Sequence, residues 1–223
     1  MKINNRLKLI GDIIDDNSVV LDVGCDHALL CIYLVKLNKN IKAIASDVEQ
    51  GPLSQAKKNI KNEDLSELIE VRMGNGLDTY TTDVNTIAIC GMGGLTTLGI
   101  LKNNRKYLDS VDTLILSPNN YQGKVREEVC SLGFYIDEEY FVRVGKFIYQ
   151  VLKFKKGKKK YSKFEYFFGP KLLLNKDQLF NDFYTRELNS KKIVLSLLPK
   201  HYYFKKFTTK KQINLLDKIL KKN

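Results

Sequence analysis

Residues 19–30 have the sequence VVLDVGCDHALL, in which an apolar run ends in a glycine, polar residues follow, and a second apolar run begins. A short apolar run bounded by a glycine turn is typical of a strand that is buried on both faces. The stretch after Asp26 is predicted to be helical. The segment therefore predicts a strand, a turn and a helix, which together form the repeating unit of a parallel α/β sheet.

The same alternation of apolar runs and amphipathic stretches repeats along the chain. Further strands are predicted at residues 41–48 (IKAIASDV), 69–76 (IEVRMGNG), 86–94 (TIAICGMGG) and 113–119 (TLILSPN). Helices are predicted between them, most clearly in PLSQAKKNIKN from Pro52 and in YQGKVREEVCSLGF. After Phe134, alternating apolar residues flank Gly145 and predict an antiparallel hairpin. Five strand–helix units followed by a hairpin indicate an α/β fold.

The last third of the chain has a different pattern. The run KKGKKKYSK at residues 155–163 carries too many like charges to pack, which predicts a solvated boundary. Apolar residues at helical spacing follow, and Pro199 interrupts them, so we expect an antiparallel pair of helices. The aromatic residues Tyr202, Tyr203 and Phe204 could offer rings for stacking or could pack against this pair, and packing is the favoured prediction. The expected domains are residues 1–160 and residues 161–223.

Positive charge is concentrated in that last third. Residues 151–223 hold 20 of the 37 Lys and Arg residues but 5 of the 25 Asp and Glu residues, within a total net charge of +12. Compositional drift in an AT-rich genome would enrich both parts of the chain in lysine alike, and the first 150 residues show no excess. The asymmetry favours a phosphate-rich partner, because neutralising phosphates releases counterions and provides affinity.

Several classes of protein are disfavoured. The N-terminal stretch MKINNRLKLIGDIIDD lacks the apolar core of a signal peptide, and no segment has about 18 uninterrupted apolar residues for a membrane span, so we expect a cytoplasmic protein. The four cysteines are far apart and form no C-x-x-C pair, so we expect buried thiols and no metal site.

Polar residues and glycines lie where ligands bind in such sheets, just beyond the carboxyl ends of the strands. Asp22 and Gly24 end the first strand, and Asp47 ends the second, where an acidic side chain could accept the hydroxyls of a ribose. The alternative for Asp47 is a helix N-cap. A pyrophosphate-binding turn is disfavoured, because Gly24 is followed by Asp26 and by no second glycine. These carboxylates suit S-adenosylmethionine, which has an ammonium, a sulfonium and an unphosphorylated ribose.

Glycines also follow the third and fourth strands. In GNGL, Asn75 could pair with the edge of an adenine ring, although a tight turn explains the same residues. In CGMGGL, three glycines in four residues indicate a wall where the methyl donor meets its substrate.

The stretches DVGCDHALL, ASDV, GNGL, CGMGG, LSPN and FFGPKLL, in this order, resemble the bacterial tRNA (adenine-22-N1)-methyltransferase family (TrmK-like). The resemblance covers nearly the whole chain. Cys31 and Ser117 depart from it, since the family often has a proline and a glutamine there, and the C-terminal helices are shorter than is usual. It implies a class I methyltransferase with a Rossmann-like seven-stranded sheet that ends in an antiparallel strand, and with a small C-terminal helical domain.

The resemblance also implies that S-adenosyl-L-methionine is the methyl donor and that N1 of adenine 22, in the D-arm region of tRNA, is the acceptor. The expected cofactor-binding residues are Asp22, Gly24, Asp26, His27, Asp47, Val48, Gly74, Asn75, Gly76, Gly91, Met92 and Gly93. N1 has a lone pair, so catalysis needs alignment and exclusion of water more than a covalent nucleophile.

Three residues are candidates for a catalytic role. Asp26 or His27 could accept the final proton, although both could instead be hydrogen-bonded loop residues. Asn119 in SPN could contact the Watson–Crick edge of a flipped adenine, with Tyr121 stacking on it, although a Pro-Asn turn is the alternative. The basic C-terminal part would bind tRNA, and we expect a monomer. A methyltransferase acting on another RNA base or rRNA, a small-molecule methyltransferase and a nonenzymatic RNA-binding protein are the alternatives.

Overall fold

Seven strands form one sheet in the computed structural model, which describes residues 3–37, 39–199 and 201–221. The strands are β1 (Val19–Val23), β2 (Lys42–Asp47), β3 (Ile69–Met73), β4 (Thr86–Cys90), β5 (Thr113–Ser117), β6 (Phe134–Val144) and β7 (Phe147–Lys156). Their order across the sheet is β3-β2-β1-β4-β5-β7-β6. Strands β1 to β5 are parallel, whereas β7 is antiparallel to both of its neighbours. The five predicted strands and the hairpin are confirmed.

Helices cover the sheet and lie between successive parallel strands, except between β3 and β4, where residues 74–85 form a loop and the helix predicted there is wrong. The helices are α1 (Asn5–Ile13), α2 (Leu29–Lys36), α3 (Gln50–Asn62), α4 (Gly94–Asn103), α5 (Gln122–Ser131) and α6 (Lys163–Phe168). Central strands such as β1 and β5 are buried along nearly their whole length, which explains their continuous apolar sequences. Because the chain order reverses between β1 and β4, the topological switch point of the sheet lies there.

The turn between β6 and β7 explains why these two strands pair antiparallel. Only Gly145 and Lys146 separate the two strands, and Gly145 has a positive φ of 57°. A connection this short can join only antiparallel neighbours, since a parallel crossover needs a dozen or more residues.

The chain divides into two compact units, Met1–Leu173 and Leu174–Asn223. The boundary therefore lies beyond the one predicted after residue 160. The lysine-rich run is exposed as predicted, but the residues after it return to the sheet unit. The Tyr161 hydroxyl donates to the carbonyl of Ile136 and accepts from its amide, both at 3.1 Å. Segment 161–173 thus belongs to the first unit because long-range hydrogen bonds hold it there.

The second unit is a helical pair, α7 (Gln178–Leu197) and α8 (Tyr203–Leu220), as predicted. The side chain of Asp177 caps α7 by accepting from the amide of Phe180 at 2.9 Å. The buried residues of the pair are Phe180, Tyr184, Leu188, Thr209, Ile213, Leu216 and Ile219. The predicted packing of Tyr202, Tyr203 and Phe204 is wrong, since all three are exposed. They lie at the end of the pair where neither helix has a buried residue.

Candidate cofactor and active site

The loops after β1 and β4 meet at the switch point of the sheet. Gly24, directly after β1, has a φ of 74°, and its amide donates to the carbonyl of Ser46 at the end of β2. A Cβ atom on Gly24 would lie 2.5 Å from Cε of Met92 in the loop after β4. Gly24 is therefore favoured by its backbone conformation, whereas the Met92 side chain could move to make room for a larger residue.

The turn that follows is conformationally strained. Asp26, His27 and Ala28 have φ values of 33°, 67° and 59°, a region that side-chain-bearing residues rarely adopt. Three such residues in succession cost stability, and strain of this kind is concentrated at ligand-binding sites. Helix α2 begins immediately afterwards at Leu29.

A cavity of about 360 Å³ opens beside this turn, a size that suits a small ligand. Its walls come from the start of α1, the loop after β1, the start of α2 and the loop after β4. The lining residues are Asn4, Arg6, Leu7, Asp22, Gly24, Cys25, Asp26, Leu29, Leu30, Cys90, Gly91 and Met92. Five of the predicted cofactor-binding residues are thus brought together in one cavity: Asp22, Gly24, Asp26, Gly91 and Met92.

Asp22 is the buried acid of this cavity. Its residue surface is 3% exposed, and burial raises the pKa of its carboxyl to about 7. A hydrogen bond from Sγ of Cys31 at 3.8 Å opposes that rise, while the charges of Asp26 and Asp47 add to it. A carboxylate held in this environment gains from a cationic ligand group, which would compensate the cost of burying its charge.

Arg6 is a cavity residue that the sequence analysis did not identify. Its Nε atom is buried and has no hydrogen-bond partner among the described residues. Its Cζ atom lies 4.4 Å from the centroid of the Tyr149 ring, which holds the guanidinium by a cation–π contact. The cavity therefore contains a cation with unused donors as well as a buried acid. Only the packing of α1 against the sheet reveals this, because nothing in the local sequence distinguishes Arg6.

The predicted residues after β2 and β3 lie outside the cavity lining. Asp47 ends β2, and its Oδ1 atom accepts from the amide of Glu49 at 3.0 Å. Val48 and Asn75 are exposed, and the amide of Gly74 donates to the carbonyl of Asp47 at 3.1 Å, which joins the two strand ends. Gly76 is buried and has a φ of 59°. Their roles in binding remain predictions.

His27 lies near the cavity but does not line it. Its Nε2 atom is 3.3 Å from Oδ1 of Asp26, and its carbonyl accepts from the side chain of Asn59 on α3. Its Nδ1 atom is buried without a hydrogen-bond partner among the described residues. Asp26, by contrast, combines a place in the lining with a side chain that is 83% exposed.

Asn119 is held against the glycine loop after β4. Its backbone amide donates to the carbonyl of Met92 at 2.9 Å, and its side-chain Nδ2 donates to the carbonyl of Gly91. Nearby, the side chain of Asn120 accepts from the amide of Gly94 at 2.9 Å. A Cβ atom on Gly94 would lie 2.4 Å from the carbonyl oxygen of Asn120, so the two loops fit together only with glycine there.

A second cavity, of about 280 Å³, lies beside Asn119. It is lined by Pro118, Asn119, Gln122, Phe147, Ile148 and Tyr149. Tyr149 lines the second cavity, and the guanidinium of Arg6, which lines the first, lies over its ring. One aromatic side chain therefore connects the two cavities. Gly93 and the exposed Tyr121 are close in sequence to these loops but line neither cavity.

Neither a metal site nor a membrane-spanning helix is found in the described ranges, 3–37, 39–199 and 201–221. No group of three or more His, Cys, Asp and Glu residues there has an arrangement that could hold a metal ion. No helix in those ranges has both the length and the apolar character that crossing a membrane requires.

Comparison with known proteins shows which family the chain matches. Residues 20–223 match the family described as tRNA (adenine(22)-N(1))-methyltransferase. The Bacillus subtilis protein of that name is 31% identical over 153 residues, which are 68% of this chain and 64% of the relative. A Streptococcus pneumoniae structure in complex with S-adenosyl-L-methionine is 31% identical, with a TM-score of 0.90 over 98% of this chain and 100% of that one. M. capricolum TrmK in complex with S-adenosyl-homocysteine is 27% identical, with a TM-score of 0.87 over 99% of each chain.

A parallel sheet with one antiparallel strand, β7, inserted next to its edge, and a cavity for a small charged ligand at its switch point, defines a class I methyltransferase. The match over residues 20–223 is more specific. The chain belongs to the TrmK family, the tRNA (adenine(22)-N(1))-methyltransferases. The fold class and the family predicted from the sequence are confirmed, while the aligned region covers less than two thirds of the Bacillus subtilis relative.

Proposed function

We propose that this protein transfers a methyl group from S-adenosylmethionine to N1 of adenine 22 in tRNA, the reaction named for its family. The observation that carries the proposal is the cavity at the switch point, which presents both the buried carboxyl of Asp22 and the guanidinium of Arg6. A zwitterionic amino-acid ligand needs one group of each charge.

The residues present fit that cofactor. The Asp22 carboxyl suits the ammonium group, and the unused donors of Arg6 suit the carboxylate. Asp47 has one oxygen engaged by the amide of Glu49, which leaves the other to accept from ribose hydroxyls. Asn75, on the next strand end, suits the edge of the adenine ring. At Gly91 a Cβ atom would lie 3.4 Å from Nη2 of Arg6, so glycine keeps side-chain atoms away from this donor.

The chain's own contribution to the reaction is alignment. When bound, S-adenosylmethionine supplies a methyl group made electrophilic by its sulfonium. The second cavity suits the target adenine, because Phe147 and Tyr149 offer rings for stacking. Asn119 uses its Nδ2 on Gly91, so its Oδ1 can accept from the exocyclic amine and direct N1 toward the first cavity.

The positive charge moves from the sulfonium to the adenine as the methyl group is transferred, and the exocyclic amine can then release a proton. Asp26 is the proposed acceptor, since its carboxylate both lines the first cavity and reaches solvent. His27, which lies 3.3 Å from Asp26, is the second candidate. The basic residues of segment 151–223 would hold the phosphates of tRNA. We further propose a cytoplasmic monomer.

The reaction is tested by incubating the full chain with S-adenosylmethionine and an unmodified tRNA transcript. Digestion and mass spectrometry should locate 1-methyladenosine at position 22, and Asp47→Ala should reduce the yield because it removes the proposed ribose contact. A second transcript with guanosine at position 22 is the matched substrate control. Methylation at another base would contradict the proposed substrate, and binding of tRNA without cofactor binding would favour a nonenzymatic RNA-binding protein.

The role of Arg6 gives a separate prediction. Arg6→Ala should weaken S-adenosylmethionine binding by about tenfold or more, as expected for the loss of a charge-assisted hydrogen bond. Decarboxylated S-adenosylmethionine lacks the group that Arg6 would bind, so it should bind the wild type and the variant equally. Calorimetric titration of both ligands into both proteins measures the difference. Equal losses for the two ligands would show that Arg6 shapes the cavity without binding the carboxylate.

A further inference from the structure

The end of the helical pair nearest the α7–α8 turn exposes an unusual amount of apolar surface. Fifteen large hydrophobic residues are exposed in the described chain, and seven of them lie between residues 193 and 207. They are Ile193, Val194, Leu197, Tyr202, Tyr203, Phe204 and Phe207. Tyr203 is 75% exposed and Phe204 is 80% exposed. Apolar groups concentrated in this way usually mark a binding surface, and we call these seven residues the aromatic tip.

The charge around the aromatic tip restricts what can cover it. Residues 188–216 contain seven lysines and no aspartate or glutamate. Lys192 pairs with Asp217 at 3.5 Å, but a second copy of the chain would still bring two surfaces with this excess of lysine together, which is unfavourable. A polyanion is favoured instead, since lysines at this density attract phosphates.

Phosphate binding alone does not account for the rings. Lysines alone suffice to bind the phosphates of a double-stranded RNA helix. Exposed aromatic side chains among lysines are typical of surfaces on which unpaired bases stack. Tyr203 and Phe204 begin α8, directly before Lys205 and Lys206. Farther along the helix, Nζ of Lys211 lies 4.4 Å from the centroid of the Phe207 ring, so a cation and a ring already share one site.

We propose that the aromatic tip stacks on unpaired bases of a tRNA loop while the neighbouring lysines hold the adjoining phosphates. The identity of the RNA as tRNA rests on the proposed function. The aromatic tip thus distinguishes unpaired from base-paired regions of the RNA, because base-paired regions offer it phosphates but no accessible ring faces.

The test compares ring removal with charge removal in the full chain. Tyr203→Ala combined with Phe204→Ala should weaken binding of an unmodified tRNA transcript by about tenfold or more and leave the salt dependence of binding unchanged. Lys205→Gln combined with Lys206→Gln should lower the slope of log Kd against log salt by about two. On a fully paired RNA duplex, the ring variant should bind as the wild type does and the charge variant should not.

Conservative changes and cofactor binding serve as controls. Tyr203→Phe combined with Phe204→Tyr keeps both rings and should retain wild-type tRNA binding, and all variants should bind S-adenosylmethionine normally. Unchanged tRNA binding by the alanine variant, or an equal loss on the duplex, would overturn the proposal. The proposal would also be overturned if the wild type were a dimer in sedimentation equilibrium and the alanine variant a monomer. Methylation is assayed separately, so a chain that binds tRNA through its rings without producing 1-methyladenosine would contradict only the proposed function.

Discussion

Replacing Asp22 with asparagine should stabilise the protein without its cofactor at pH 8 and weaken S-adenosylmethionine binding by about tenfold or more. The two effects have one cause. Asp22 is buried, and its pKa is raised to about 7 from an ordinary value of 3.8. Above pH 7 the folded protein therefore holds an unfavourable buried charge, which asparagine removes. The same charge is what the ammonium group of the cofactor would bind.

The pH dependence has a definite sign. A carboxyl whose folded-state pKa lies above its unfolded value contributes stability at low pH, and that stability is lost as the pH rises through the folded value. The wild type should therefore lose stability relative to D22N between about pH 4 and pH 7, by up to roughly 4 kcal/mol. Urea titrations of both proteins across this range measure the difference. Cofactor affinity should follow the opposite course in the wild type and rise through pH 7.

Asp26→Asn is the matched control, because it makes the same chemical change at an acid of the same cavity that is largely exposed. Exposed substitutions usually change stability by less than about 0.5 kcal/mol. D26N should show a pH-dependent gain much smaller than that of D22N, because the charge of Asp26 adds to the rise in the pKa of Asp22. If D22N were destabilised at pH 8, the Asp22 carboxylate would already have stabilising partners within the protein, and it would not depend on a cationic ligand.

The fold was predictable because its signals are local. Each parallel strand is a short apolar run bounded by glycine or polar residues, and β1 and β5 are buried almost throughout. The positions of Asp22 and Gly24 followed from the rule that ligands bind beyond the carboxyl ends of strands. Arg6 could not be found in this way, since its place in the cavity depends on how α1 packs against distant residues such as Tyr149.

The errors also have physical causes. The lysine run near residue 158 is solvated as predicted, but solvation does not make it a domain boundary, because Tyr161 returns to the edge strand through two hydrogen bonds. Tyr203 and Phe204 were expected to pack because aromatic side chains usually do. Their exposure follows from the register of the helical pair, whose last buried residue on α7 is Leu188 and whose first on α8 is Thr209.

A second large effect is expected at Arg126, which is fully buried on α5. Its guanidinium donates to Glu139 on β6, to Gln150 on β7 and to the carbonyl of Tyr166 on α6. Arg126→Leu should destabilise the protein by about 3–5 kcal/mol, because it leaves the Glu139 carboxylate buried without its partner. Urea denaturation should measure this loss, and Arg105→Leu at an exposed position should change stability little.

The double variant R126L/E139L separates charge from packing. If the unpaired charge dominates, removing Glu139 as well should restore much of the lost stability, since buried ion pairs can often be replaced by apolar residues. A double variant as unstable as the single one would instead assign the loss to the contacts that Glu139 also makes, including the amide of Lys171 at 2.9 Å. None of these residues lines the cofactor cavity, so S-adenosylmethionine affinity should persist wherever the variants remain folded. Loss of cofactor binding in a folded variant would show that this network positions the cofactor site across the sheet.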